Sequence, residues 1–227
     1  MVSYILLVML PGLIISGIAS FRVKAAFSRY GKIQTTSGIT GAQAAHKMLQ
    51  AAGLDQTIQI QKVKGFLSDH YDPKKKVVRL SPDVHDSRSI AAVGVACHEV
   101  GHAIQDARNY APLVLRNAMV PTASIGSNFS YILIILGLIL HFPGLAMLGL
   151  LMFGAVVLFQ LINLPVEFNA STRARELMPR LGIIGGPVEA DGVNKVLGAA
   201  AMTYVAAMLT AMLNLVYYAW LIFGRRN

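Results

Sequence analysis

The sequence predicts a mainly α-helical integral membrane protein with about four transmembrane helices and a small β-hairpin. Hydrophobic residues make up 55% of the 227-residue chain and charged residues only 14%, whereas about a quarter of the residues in a soluble domain are charged. Apolar runs reach the roughly 20 residues that a helix needs to cross a bilayer. We expect membrane spans at residues 2–21, 119–140, 142–164 and 197–223.

The first and last runs carry further signs of a membrane protein. Residues 2–21 lack the basic segment and the small-residue cleavage site of a signal peptide, so we expect a retained anchor. The last run ends in Tyr217-Tyr218-Ala219-Trp220, which is typical of an aromatic belt at the membrane interface. Small residues in the two middle runs would allow helices to pack within one chain or between chains. They are Gly126, Gly137, Gly149 and Gly154.

Between the first and second spans the sequence predicts a short helix and a hairpin. Thr40 is a typical N-cap for a helix that runs to about Ala52. Residues 58–67 and 77–80 then alternate apolar and polar side chains around the turn-forming residues 69–73. This pattern predicts a hairpin with an extended turn.

Positive charge is concentrated in two polar segments, residues 22–118 and 164–196. They hold 14 and 4 of the 20 Lys and Arg residues. Four spans place both segments on one side of the membrane, and the positive-inside rule places that side in the cytoplasm. The net charge of +9 raises nucleic acid as a partner, but the chain has no basic stripe interleaved with aromatic residues. We therefore expect no nucleic acid and expect contact with the lipid bilayer instead.

The most informative stretch is the HExxH sequence His98-Glu99-Val100-Gly101-His102. Residues four apart in a helix lie about 40° from each other around the axis, so both imidazoles can reach one ion. Glu99 lies about 100° from His98, where its carboxylate can act as the general base of a zinc peptidase. The alternative is an amphipathic helix with two core histidines. The helix should begin at Ser87 or Ser89 and continue to about residue 107.

A catalytic zinc ion keeps three protein ligands and one open position, so one more side chain is needed. Apart from Glu99, the glutamates of the chain are Glu167, Glu176 and Glu189. Glu167 directly follows the third span, close to the bilayer, and is the expected third ligand. Its alternative role is that of a helix N-terminal carboxylate favoured by the helix dipole. Glu176 lies about 180° away on the same helix and cannot face the same ion.

Three other residues are weaker candidates for the metal site. Asp191 stands in an Asp-Gly pair like that of site-two-type intramembrane proteases, but its surroundings are too polar for a span, so we expect a helix cap. His70 is explained by turn chemistry. Cys97 should point about 100° away from His98 and be a small buried residue. As the one cysteine, it excludes an intrachain disulfide and agrees with a reducing compartment.

Four stretches of the chain carry a family resemblance: LSDHYDP at 67–73, ACHEVGHAIQ at 96–105, LPVEFNAS at 164–171 and AAMTYVAA at 200–207. They resemble the bacterial membrane-bound neutral zinc metallopeptidases of the YugP type over nearly the full length. That family is similar in turn to other membrane gluzincins, in which the Glu of a Glu-x-x-x-Asp element completes the metal site. This chain departs from those patterns at Asn169 and Ser171, where Asp is expected.

The resemblance implies a single membrane metallopeptidase domain over residues 1–227, with one catalytic Zn²⁺ held by His98, His102 and Glu167 and with Glu99 as base. It also implies a multi-pass protein of the bacterial inner membrane and a role in the quality control of membrane proteins. The polar segments 22–118 and 164–196 would form the peptidase unit on the cytoplasmic side.

We therefore expect an endopeptidase that acts on membrane or membrane-adjacent polypeptides. A zinc-binding scaffold or adaptor without proteolytic activity is the alternative, and a protein partner or a homo-oligomer stays open. Residues 63–80 are either a strand that holds the substrate backbone or a structural hairpin. Spans without ionisable residues other than His141 argue against a transporter. The oxyanion donor is one of four residues that spacing cannot rank, namely Arg173, Arg175, His70 and Tyr204.

Overall fold

The computed structural model describes residues 2–65 and 67–224 and consists mainly of helices. The first helix, α1, contains a π-helical stretch at Ile5–Met9. The helices are α1 (Val2–Tyr30), α2 (Gly41–Ala51), α3 (Pro82–His85), α4 (Ile90–Ala107), α5 (Ala111–Ile139), α6 (Pro143–Arg180) and α7 (Gly186–Phe223). The strands are β1 (Gln59–Lys62), β2 (His70–Asp72) and β3 (Val77–Leu80).

The predicted mainly α-helical membrane fold is confirmed. Within the described residues, α1, α5, α6 and α7 are the helices long and apolar enough to cross a membrane. Each helix extends beyond its apolar run. α6 continues to Arg180 and α7 already begins at Gly186, because the polar residues next to the runs form helix as readily as apolar ones.

The chain forms two compact units. The membrane unit contains residues 2–20, 114–165 and 202–224, and the polar unit contains residues 21–113 and 166–201.

Close approaches between helix backbones hold the membrane unit together. A Cβ at Gly149 would lie 2.8 Å from the carbonyl oxygen of Ser130, and one at Gly137 would lie 2.3 Å from the nitrogen of Ala146. Gly126 is similarly close to α6, whereas Gly154 has nothing within 4 Å. Three of the four predicted packing glycines therefore bring α5 and α6 together within one chain.

In the polar unit, α2 begins as predicted. The Thr40 hydroxyl accepts a hydrogen bond from the Gln43 backbone, and the Gln43 side chain accepts one from the Thr40 backbone. This reciprocal capping box satisfies two backbone donors at the helix start. The apolar face of α2 is fully buried in the core of the unit.

The sheet corrects the predicted hairpin. The strand order is β1-β3-β2, with β1 parallel to β3 and β2 antiparallel to β3. The hairpin is thus formed by β2 and β3. Residues 59–62 run parallel to β3, whereas the predicted hairpin required an antiparallel pair. The turn closes at residues 73–76, where the Asp72 carboxylate accepts hydrogen bonds from the backbone of Lys74 and Lys75. The predicted turn at residues 69–73 therefore contains strand β2.

Helix α4 is the central element of the polar unit. The Ser89 hydroxyl accepts the backbone N–H of Ala92 and caps the helix start, which confirms the second of the two predicted caps. Nearly every residue from Ile90 to Gln105 is buried. The helix packs against α2, α3 and the sheet, so its position is set on several sides.

Candidate metal centre

Helix α4 places His98 and His102 one turn apart on the same face. Their rings meet edge to face with centroids 4.8 Å apart. The side chains are 13% and 10% exposed, so both are largely withdrawn from water but still reachable. The local helix is enough to bring these two imidazoles together, as the spacing predicts.

Helix α6 supplies the third side chain at a point where it crosses α4 with almost no space between the backbones. A Cβ at Gly101 would lie 2.5 Å from the carbonyl oxygen of Ala170. Real Cβ atoms do not approach a backbone so closely, so only glycine permits this crossing. Glu167 lies one turn before Ala170 and thereby reaches the two histidines.

The three side chains converge on one point. Oε2 of Glu167 lies 3.3 Å from Nε2 of His98 and 3.5 Å from Nε2 of His102. Within the described residues, these three are the one group of His, Cys, Asp or Glu that could hold a metal ion. Oε2 is buried and makes no hydrogen bond. Ligands about 2.0–2.1 Å from a tetrahedral zinc ion lie about 3.4 Å from each other, so the residues fit zinc.

Hydrogen bonds at the far side of each ring leave the Nε2 atoms available. Nδ1 of His98 lies 3.1 Å from the Ser171 hydroxyl. Nδ1 of His102 lies 3.0 Å from Oε1 of Gln105. Partners of this kind orient the imidazoles of metal sites and set which nitrogen carries the proton.

The charges around the site favour a cation. Burial raises the pKa of the Glu99 carboxyl, although the neighbouring charges of His98 and His102 oppose this effect. Burial alone would lower the pKa of His102, but the contact with Glu167 and the charge of Glu99 outweigh it, so the pKa is raised overall. Two carboxylates thus make the pocket electronegative, which favours a bound proton or metal ion.

The β2–β3 hairpin is attached to the end of α4. The Tyr71 hydroxyl donates a 2.7 Å hydrogen bond to Asp106, which also pairs with Lys76 at 2.6 Å. Asp69, in the segment before β2, accepts hydrogen bonds from the Ser81 backbone and hydroxyl. Burial raises the pKa of Asp69, and the bonds from Ser81 oppose it. The contacts of Asp106 fix the hairpin to the end of the helix that carries His98 and His102.

The other candidates are not part of the group formed by His98, His102 and Glu167. His70 is exposed on β2, with Nδ1 2.8 Å from the Ser68 carbonyl oxygen. Cys97 is fully buried in the apolar core, as expected, and burial raises the pKa of its thiol. Glu176 is exposed on α6.

The expectation that Asp191 caps a helix is wrong, because α7 begins at Gly186 and Asp191 pairs with Lys195 at 2.7 Å. Glu189 instead accepts the backbone N–H groups of Gly185 and Thr36.

The four residues weighed as oxyanion donors differ in their surroundings. Arg173 is hydrogen-bonded to Asn169 at 2.8 Å. Nε of Arg175 is buried without a hydrogen-bond partner. Tyr204 lies in the membrane unit.

Gln105 is a site residue that the sequence reasoning missed. It is completely buried three residues after His102 and also bonds to Asn169 and the Val166 carbonyl oxygen. The available signal was an amide one helical turn from a candidate metal ligand, but its partners on α6 are more than sixty positions away in the chain.

The model of a protein family described as "putative neutral zinc metallopeptidase" matches residues 5–223. The chain belongs to this family. A relative within it is the "putative membrane protease YugP" of Bacillus subtilis, which is 44% identical over 209 residues, with 92% of each chain covered. No solved structure matches the chain. The resemblance to YugP-type metallopeptidases predicted from the sequence is thus confirmed, and the family description agrees with a site that fits zinc.

The Gly101 crossing gives a test of how this candidate metal site is built. We expect Gly101→Ala to force α4 and α6 apart and to lower the zinc content of the purified protein, at an overpacking cost of about 1–3 kcal/mol. The matched control is Gly94→Ala on the same helix, where the nearest atom is a Val193 methyl group at 3.7 Å. Metal analysis and circular dichroism would compare the two. Full zinc content in Gly101→Ala would contradict the role of the crossing.

Proposed function

We propose that the protein is a membrane-bound zinc endopeptidase that hydrolyses peptide bonds of membrane or membrane-adjacent polypeptides. The observation that carries the proposal is the buried Oε2 of Glu167, which faces two imidazole nitrogens and has no hydrogen-bond partner. A buried carboxylate oxygen without a donor is costly unless a cation neutralises it. His98, His102 and Glu167 would hold one zinc ion and leave a fourth position open.

Glu99 is the proposed general base. A bound zinc ion would supply the Lewis acidity that activates water for attack on a peptide carbonyl group. The Glu99 carboxylate would accept the proton of that water and later donate it to the nitrogen of the leaving amine. Its position next to His98 on α4 and its burial support this role, since a solvent-exposed carboxylate would be less basic.

The outer edge of the sheet is the proposed place for the substrate backbone. The strand order leaves β2 at an edge, so one side of His70–Asp72 has no partner strand among the described residues. Tyr71 and Asp106 attach this edge to α4. An extended polypeptide can add to such an edge through backbone hydrogen bonds, with little dependence on its side chains.

We further propose that the peptidase site faces the cytoplasm of a bacterial cell. The support is the concentration of Lys and Arg in residues 22–118, next to the first and second spans. A site on that side, on segments that directly adjoin spans, would meet polypeptides at or near the membrane surface. This location agrees with a role in the quality control of membrane proteins.

Replacing Glu99 separates an enzyme from a zinc-binding scaffold. We expect Glu99→Gln to retain zinc and to lose cleavage of an unfolded protein substrate by a factor of about 10²–10⁴, because the base is removed while the three ligands remain. Glu176→Gln, the same change at an exposed position of α6, should cleave like the wild type. Proteolysis would be measured with detergent-purified protein at matched zinc content. Equal cleavage by wild type and Glu99→Gln would contradict the proposed mechanism, and zinc-loaded wild type without cleavage would favour the scaffold.

Labelling of single cysteines tests the orientation. Cys97 is buried, so Cys97→Ala gives a cysteine-free background. In that background we expect Lys47→Cys, at an exposed position of α2, to react with a membrane-impermeant maleimide only after the bacterial membrane is opened. His141→Cys, between the second and third spans, should react in intact cells. Reaction of Lys47→Cys in intact cells would place the polar unit outside and contradict the proposal.

A further inference from the structure

A chain of side-chain hydrogen bonds runs along α6 to His102. Nε of Arg173 donates to Oδ1 of Asn169 at 2.8 Å. Nε2 of Gln105 donates to the same Oδ1 at 3.0 Å and to the carbonyl oxygen of Val166 at 2.8 Å. Oε1 of Gln105 then faces Nδ1 of His102 at 3.0 Å. Every link is within normal hydrogen-bond distance.

The chemistry of the groups fixes the direction of each bond. Arginine Nε can only donate, so the side chain of Asn169 must present its oxygen rather than its amide nitrogen. One side-chain atom of Gln105 lies 3.0 Å from that oxygen and 2.8 Å from the Val166 carbonyl oxygen, and it must be the amide nitrogen, because an oxygen there would face two acceptors without a proton. The Gln105 oxygen must therefore point at His102, and His102 must donate from Nδ1. The lone pair of the neutral imidazole is left on Nε2, so these bonds oppose the Glu167 carboxylate, 3.5 Å away, which favours a proton on that nitrogen.

We propose that Gln105, Asn169 and Arg173 are positioning residues that hold His102 in the tautomer with the proton on Nδ1, so that Nε2 is ready to bind a metal ion before the metal arrives. The inference rests on the proposed zinc site and assigns three further residues to it. Gln105 is completely buried, so water cannot replace the bonds that it makes.

The second histidine differs in this respect and serves as an internal comparison. Nδ1 of His98 faces the hydroxyl of Ser171, and a hydroxyl can either donate or accept. Ser171 therefore orients the ring of His98 without selecting a tautomer. The chain of hydrogen bonds from Arg173 through Asn169 and Gln105, here called the relay, thus assigns a fixed tautomer to His102 alone.

The first test is zinc affinity, measured by competition with a chelator in the absence of substrate. We expect Gln105→Met, which keeps the length of the side chain but removes its amide, to weaken zinc binding about 10–100-fold. Gln50→Met makes the same change at an exposed position of α2 and should bind like the wild type. Circular dichroism of the metal-free proteins would show that both variants are folded. Unchanged affinity in folded Gln105→Met would overturn the proposal.

The second test addresses the direction of the relay. Arg173→Met should weaken zinc binding less than Gln105→Met does, because the amide of Asn169 is then free to turn its nitrogen towards Gln105 while the Val166 carbonyl oxygen still accepts from Gln105. Adding Asn169→Asp should restore the affinity, because a carboxylate offers only oxygens in either orientation. A simple packing role for Arg173 predicts no such rescue. Failure of the double variant Arg173→Met/Asn169→Asp to regain affinity would contradict the assigned direction.

The third test does not depend on zinc at all. Nitrogen-15 NMR of histidine-labelled, metal-free protein, at a pH where the imidazoles are neutral, reports which nitrogen carries the proton. We expect His102 to be in the Nδ1-protonated form in the wild type and in both forms in Gln105→Met. The same mixture of His102 tautomers in both proteins would contradict the proposed role of the relay. Wild type that binds no zinc but holds His102 in the Nδ1-protonated form would refute the proposed function and leave the role of the relay supported.

Discussion

The close crossing of α4 and α6 at Gly101 and Ala170 is the constraint on which the site depends. It places the Glu167 carboxylate 3.3 Å from one imidazole and 3.5 Å from the other, in a pocket that excludes most water. Bringing a buried carboxylate to such a place is unfavourable without a cation. Metal binding should therefore stabilise the packing of these two helices as well as complete the site.

The groups around the three candidate ligands show how such a site can tolerate unusual residues at two positions. Ser171 stands where a carboxylate is expected from the wider gluzincin pattern, yet its hydroxyl still reaches Nδ1 of His98. Asn169 stands where Asp is expected, and it acts through its oxygen, which accepts from Gln105 and Arg173. Ser171 keeps an oxygen beside the His98 ring, and Asn169 keeps one beside the Gln105 amide. Neither residue carries the negative charge of the expected Asp. Orientation is thus preserved with less electrostatic support for the imidazoles.

The features that the sequence predicts well are local. The four spans follow from the length of apolar runs, and the His98–His102 pair follows from helix periodicity within α4. Glu167 could be singled out because few glutamates are present, and the structure brings it to the histidines. Strand pairing and Gln105 could not be predicted in the same way. Alternating polarity identifies the faces of a strand but not the direction of its partner, and the bonds of Gln105 depend on a crossing between distant segments.

The X-ray absorption spectrum of the zinc-loaded protein tests the central claim most directly, because it reports the atoms around the ion. We expect nitrogen and oxygen neighbours at about 2.0–2.1 Å, the scattering pattern of two imidazoles and no sulfur. Glu167→Gln should bind zinc more weakly, because a neutral amide replaces the one anionic ligand. A sulfur neighbour at about 2.3 Å, or a zinc ion without imidazole neighbours, would contradict the site formed by His98, His102 and Glu167.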